Sequence, residues 1–251
     1  MDSIRALFPR VQEFDAVDAA AIDVATDPRV SVYARHFIAV NGSSDHMHMG
    51  SAGALGCSLS HIALWRRCVE LDEPIVVIED DIELTPRKRA QVAEAIEDVP
   101  ETCDYASIMY LPPTFMLLPN NGQGCADGAQ RWCGIRLGTY GHFGTQMYYV
   151  TPRGAAILLE QALPIVTHVD VYIAAVSSTR ADFKALRWRE NIYTVADMIK
   201  DNEDSTLEHP LSNGLLRKRL PSSNAFFIAI IVVVLAVVVW SIVITVKYYR
   251  Q

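Results

Sequence analysis

Three consecutive carboxylates, Glu79, Asp80 and Asp81, close an apolar run within residues 74–84, Pro-Ile-Val-Val-Ile-Glu-Asp-Asp-Ile-Glu-Leu. Acids set side by side repel one another unless positive charge offsets them, and a divalent cation is the usual means. The run before them has no polar alternation, the pattern of a central strand covered on both faces, as in parallel sheets. In open α/β sheets ligands sit just beyond the carboxyl ends of the strands. The competing reading is a strand that ends in a solvated acidic turn, and the triplet alone does not separate the two.

Other residues with chemical capacity are scattered. His46 and His48 form a His-x-His pair, but among Gly, Ser and Met they read as a loop rather than metal ligands. Cys125 and Cys133 share a stretch and are able to pair or bind metal, yet the spacing matches no zinc pattern. Five cysteines, an odd number, are expected to be free thiols in a reducing compartment. Trp132 offers an aromatic face to a sugar ring, or serves as a hydrophobic anchor for its loop.

The elements that must position these groups follow from periodicity and caps. Leu7, Val11, Phe14 and Val17 imply one short helix in residues 1–25, interrupted by Pro9. Residues 30–40, rich in Val, Phe, Ile and Tyr, read as a strand. Residues 56–71 read as a helix with Leu59, Ile62, Ala63 and Val69 on its apolar face and Ser58 or Ser60 as cap. Thr85-Pro86 and Thr151-Pro152 each place an N-cap before a proline at the first helical position, the second helix running to about Leu163. Residues 105–111 and 146–151 are strand candidates, and a helix follows Asp170 through Val176. Residues 112–144, dense in Gly, Pro and Asn, read as a functional loop. Strands alternating with helices predict an α/β domain with a mainly parallel sheet.

Composition adds a second expectation. Residues 225–246 carry no charge and are almost wholly apolar, long enough for a transmembrane helix. The expected organisation is a domain over 1–208, a tether over 209–224, a span over 225–246 and a short tail over 247–251. With no amino-terminal signal peptide, the domain is expected on the cytosolic side of a single-pass membrane protein. The formal net charge is −7, and setting aside Arg217, Lys218, Arg219, Lys247 and Arg250 leaves −12 on the first 216 residues. So acidic a body excludes nucleic acid as partner. The basic cluster before the span fits contact with anionic lipid.

Several pieces together resemble glycosyltransferase family 25, which includes lipooligosaccharide and collagen β-galactosyltransferases. Gly56-Cys57-x-Leu59-Ser60-His61-Ile62, followed by the strand into Glu79-Asp80-Asp81, is similar to its signature. Phe14-Asp-Ala-Val-Asp18-Ala resembles an upstream element, and Gly144-Thr-Gln-Met-Tyr-Tyr-Val-Thr-Pro-Arg-Gly a later strand-then-helix block. Val169-Asp170 and Asp204-Ser205-Thr206-Leu207 resemble its closing elements. The resemblance spans about residues 10–208.

It implies a GT-A-like (Rossmann-like) fold, a nucleotide-sugar donor, here a UDP-sugar, and inverting transfer of a hexose such as galactose to a glycan, glycoprotein or glycolipid acceptor. It implies Asp81 as ligand to Mn²⁺ or Mg²⁺, with Asp80 on the ion or the donor ribose. Asp170 stands where the family's downstream Asp does and is the candidate base, against a helix-capping role. Glu79 joins the catalytic set, while Ser60, His61 and Gly144 line the donor; His61 also lies where it can hydrogen-bond the strand end carrying Glu79. Family members carry a first apolar strand ahead of these blocks, which the resemblance does not find here. The competing classes are a catalytically impaired binding or scaffold protein and a metal-dependent phosphoester hydrolase.

Overall fold

The computed structural model describes residues 2–40, 48–110, 131–135, 144–190 and 192. These all belong to one compact unit, Met1–Pro210, with Leu211–Gln251 forming a second. The helices are α1 (Asp2–Leu7), α2 (Val32–Ala39), α3 (Ala52–Leu71), α4 (Pro86–Glu97), α5 (Pro152–Leu159) and α6 (Val169–Thr179). The strands are β1 (Ile75–Ile78), β2 (Tyr105–Met109), β3 (Trp132–Gly134), β4 (Met147–Val150) and β5 (Ala185–Trp188), in the sheet order β1-β4-β2-β5-β3.

The sheet is mixed, which corrects the expectation of a mainly parallel, GT-A-like one. Strand β4 inserts between β1 and β2 and runs antiparallel to both, and β3 is antiparallel to β5. Only β2 and β5 pair in parallel. Apolar runs of four or five residues carry no direction of their own. Direction comes from the connections, and β4 follows residues 111–146 without a described crossover helix. Strands β1, β2 and β5 nevertheless point the same way, so their carboxyl ends share one edge with the amino end of β4.

Alternation along the strands divides the core in two. Val77, Tyr105, Tyr148, Val150 and Ala185 face α3, α5 and α6. Ala106, Ile108, Met147, Trp132 and Trp188 face α1 and α4 on the other side. Trp65, fully buried on α3, belongs to the first core, whereas Val69, expected on the apolar face, is 39% exposed.

Caps explain several helix positions. Thr85 and Thr151 accept from Lys88 N (3.3 Å) and Gly154 N (3.0 Å), each before a proline in the first turn. Helix α3 starts earlier than residue 56 and is capped by Ser51, not Ser58 or Ser60, through Ala54 N at 3.1 Å. Residues 30–40 are corrected from strand to helix: Ser31 caps Ala34 N at 3.0 Å, and Tyr33 packs on Phe37 one turn later. A local cap outweighs the strand preference of β-branched residues. Helix α5 ends at Leu159, ahead of Pro164.

Two further expectations change. No helix among the described residues is long and apolar enough to cross a membrane. This corrects the expected transmembrane architecture and single-pass membrane localisation; residues 209–251, on which both rested, lie outside the described residues. Cys133 is disulfide-bonded, to a partner outside the described residues, while Cys57, Cys68 and Cys103 are free, so the expectation of free thiols throughout is corrected.

At the sheet edge opposite the acids, buried Asp104 ties β2, α5 and the entry to β5 together. Its carboxylate takes Lys184 N–H (2.8 Å) and pairs with Arg153, and its carbonyl accepts Thr151 N–H at 3.0 Å. A Cβ on Gly154 would collide with that carbonyl oxygen. Gly154→Ala is therefore expected to destabilise the domain by about 1–3 kcal/mol. Urea unfolding monitored by tryptophan fluorescence measures this, and an unchanged midpoint would contradict the packing.

Candidate functional site

Strand β1 ends at Ile78, and Glu79 N–H continues the ladder to Gln146 O at 3.0 Å. Glu79 lies two residues beyond Val77, so its side chain takes the face covered by α3. Asp80 and Asp81 follow in an exposed turn. Thr145, just ahead of β4, donates from Oγ1 to Glu79 Oε1 at 2.6 Å and lies 3.2 Å from His61 Nε2. The other ring nitrogen, Nδ1, is 2.9 Å from the Tyr148 hydroxyl, which also accepts Trp65 Nε1–H at 3.1 Å.

One assignment of protons satisfies every group in this row. Indole N–H only donates, so the Tyr148 oxygen accepts from Trp65, and giving its own proton to His61 Nδ1 leaves no donor in the row without an acceptor. Burial holds the Tyr148 phenol far above its ordinary pKa, keeping that proton in place. A neutral imidazole that accepts at Nδ1 donates at Nε2, here to Thr145 Oγ1, whose own proton goes to Glu79. The chain Trp65, Tyr148, His61, Thr145, Glu79 therefore runs one way and ends on a carboxylate. His61 Nε2 is 3.6 Å from Glu79 Oε1, too long for a direct hydrogen bond.

Asp170, in the first turn of α6, brings a second support to the same turn. Its Oδ2 accepts Gly144 N–H at 2.7 Å, and Oδ1 accepts Val171 N–H at 2.8 Å. Gly144 has φ +84°, a left-handed conformation suited to glycine, and a Cβ there would strike the Gln146 side chain. Cys57 on α3 reports the local field. Burial raises its thiol pKa, and the charges of Glu79, Asp170 and Asp81, in that order, raise it further. One thiol thus feels all three carboxylates. Among the described residues, neither Glu79 nor Asp170 is paired with lysine or arginine.

Ser60 plays a docking part: its hydroxyl accepts Val17 N–H at 2.9 Å and donates to Gly56 O at 2.8 Å. A Cβ on Gly56 would lie 2.8 Å from Val17 O, so the glycine permits this close approach. The 14–19 segment is thereby fastened to α3. Trp132 is a buried anchor, edge-on to Trp188 and donating to Asp98 O at 2.9 Å. His48 stacks on Phe37, while His46 and residues 136–143 lie outside the described residues. The structure thus brings Glu79, His61, Gly144 and Asp170 into one unit and leaves Ser60 beneath it. Thr145, Tyr148 and Trp65 escaped the sequence reading; Thr145 and Tyr148 sat inside the quoted 144–154 block.

Two donor sets are available to a metal ion. Cys57, His61 and Glu79 place one ligand atom each within 4.8 Å of one another. That set suits a soft or borderline ion. However, both His61 nitrogens are already hydrogen-bonded, and its surroundings favour the protonated Cys57 thiol. The trio is satisfied as it stands. Asp80 and Asp81 are exposed and carry carboxylate oxygens, the donors that Mn²⁺ and Mg²⁺ take, directly after Glu79 in the chain.

A mixed sheet with helices packed on both faces and carboxylates at one edge makes this an α/β domain. Residues 6–173 match glycosyltransferase family 25 (LPS biosynthesis protein), and the chain belongs to that family. Similar proteins called "Glycosyltransferase 25 family member" occur in three insects. That of Anopheles gambiae is 28% identical over 165 residues, 65% of this chain and 26% of the relative. That of Drosophila pseudoobscura pseudoobscura is 28% identical over 102 residues, 40% of this chain and 16% of the relative. That of Aedes aegypti is 29% identical over 89 residues, 35% and 14% respectively. The chain thus spans about a quarter or less of the length of these relatives.

Thr145→Val keeps the side-chain shape but removes both the acceptor for His61 Nε2–H and the donor to Glu79. It is expected to cost about 1–3 kcal/mol in urea unfolding. Nitrogen-15 spectra of the unaltered protein should show His61 as the neutral Nε2–H tautomer; finding Nδ1–H instead would reverse the chain.

Proposed function

We propose that this domain transfers a hexose, such as galactose, from a UDP-sugar to an acceptor hydroxyl with inversion. The reading is supported by one observation: within the family match, α3, β1, β4 and α6 bring Glu79 and Asp170 to the same Gly144–Thr145 turn at the sheet's carboxyl edge. Asp81 and Asp80 would hold Mn²⁺ or Mg²⁺. Held there, such an ion would supply the positive charge that lets a diphosphate approach these acids and depart.

The chain's own residues then divide the remaining work. Both Asp170 oxygens accept backbone N–H groups, from Gly144 and Val171, so the side chain is already engaged by the backbone on either side. Its part is to hold the Gly144–Thr145 turn against the pocket. Glu79 is engaged through Oε1 by Thr145, which orients the carboxylate. Glu79 therefore takes the acceptor's proton as the acceptor oxygen attacks the anomeric carbon and the sugar–phosphate bond breaks, releasing UDP. The acceptor is a glycan, glycoprotein or glycolipid hydroxyl.

Calorimetric titration with UDP and Mn²⁺ tests the donor and the ion together. Binding should require Mn²⁺ and weaken roughly tenfold or more in Asp81→Ala. A folded protein that ignores millimolar UDP would instead favour the scaffold reading. UDP release from UDP-galactose separates the two acids. Glu79→Gln is expected to lower turnover by roughly 10²-fold or more while keeping UDP affinity. Normal turnover in Glu79→Gln, with loss in Asp170→Asn at unchanged UDP affinity, would return the base to Asp170.

A further inference from the structure

Arg187 occupies the centre of β5, and its side chain points to the face shared by Val77, Tyr148 and Ser107. It is only 5% exposed. A buried guanidinium is normally matched by a carboxylate, because a charge removed from water without a partner is costly. Among the described residues Arg187 has no carboxylate within ion-pair distance. Its hydrogen bond goes to a neutral group: NH1 donates to the Tyr110 hydroxyl at 2.9 Å, and Tyr110 in turn donates to Trp188 O at 2.9 Å. The guanidinium carbon lies 5.5 Å from the Tyr110 ring centre, so the phenol both orients and stacks on it.

A second buried polar group adjoins it. Ser107 is the cross-strand neighbour of Arg187 and fully buried, and its hydroxyl lies beside that of Tyr105 on the same strand face without a well-formed hydrogen bond between them. A positive fork and a spare hydroxyl in one cross-strand row are complementary to an oxyanion, which accepts several short charge-assisted bonds at once. The position also matters. Because β1, β2 and β5 run together, Tyr110 and Arg187 lie towards the same edge as Glu79. Arg187 stands about 14 Å from it, three strand spacings of about 4.8 Å. The edge thus carries negative charge at β1 and positive charge at β5.

We propose that Arg187, oriented by Tyr110 and assisted by Ser107, binds a phosphate or carboxylate group of a ligand lying along the carboxyl edge of the sheet. The anion belongs either to the donor nucleotide or to an acidic acceptor. The proposal goes beyond the sugar-transfer reading and is tested independently of it, because free inorganic phosphate is itself a probe.

The test uses the full chain with Arg187→Met, which keeps length without charge, and Arg187→Lys, which keeps charge without the fork. Melting temperature is followed against inorganic phosphate, glucuronate and UDP with Mn²⁺. Removal of an unmatched buried charge should leave the ligand-free melting temperature of Arg187→Met unchanged or raised. The phosphate-induced rise should disappear in Arg187→Met, and its midpoint should move up roughly tenfold in Arg187→Lys. Loss of the UDP response as well assigns the anion to the donor. A UDP response that persists while the glucuronate response is lost assigns it to the acceptor. Phosphate midpoints unchanged in Arg187→Lys, or a fall in melting temperature with anion responses intact in Arg187→Met, overturn the proposal. Should Arg187→Met not fold, the Arg187→Lys midpoint alone decides.

Discussion

A histidine whose two ring nitrogens are both spoken for organises the carboxylate pocket. His61 meets the Tyr148 hydroxyl through Nδ1 and the Thr145 hydroxyl through Nε2, so the ring cannot turn without breaking both of its bonds to β4 and the turn ahead of it. Because Trp65 feeds the chain and Glu79 terminates it, every donor has one acceptor and every acceptor one donor. A buried polar network is stabilising when it is complete and costly when one member is missing. Here the network also joins the helix that backs the sheet to the strand end that carries the acids. The geometry of the pocket is therefore inherited from the interior.

The mixed sheet follows from the same need. Placing β4 antiparallel between β1 and β2 brings its amino end, Gly144 to Gln146, next to the carboxyl end of β1. A parallel β4 would have put Thr151 there and Thr145 at the far edge. The Asp170 contact to Gly144 shows the matching arrangement from the helix side. Strand direction, glycine conformation and helix placement thus converge on one turn, while Asp104 performs the analogous fastening at the opposite edge with Arg153 and Lys184.

Much of this was legible in the sequence where the signal was local. Thr85-Pro86 and Thr151-Pro152 announced their helices because cap and proline act within one turn. Glu79 at a strand end, His61 on the helix beside it and the Gly144 block were visible for the same reason. What escaped depended on partners far along the chain. Residues 30–40 carry strand-like side chains, yet the Ser31 cap sets a helix. Direction in the sheet could not be read from apolar runs of four residues. Arg187 gave no sign of burial, since its neighbours Ala185, Leu186 and Trp188 form a strand too short to show whether alternation continues through a charged position. Tyr148 and Trp65 looked like core aromatics, and their polar ends found each other only across the fold.

The sequence separations along the hydrogen-bond chain have a kinetic meaning. Thr145 and Glu79 are 66 residues apart, and His61 and Tyr148 are 87 apart. Helix α3 and strand β1 are neighbours that can associate early, but β2 cannot join β1 until β4 arrives between them. Closing such distant contacts carries an entropic penalty before any bond is formed, which slows folding. The Glu79 end of β1 accordingly waits for residues 144–150 before its contacts can form. A nascent chain that has not yet released residues 144–150 holds the acidic strand end and its histidine, but has no bridge between them and no sheet to carry either.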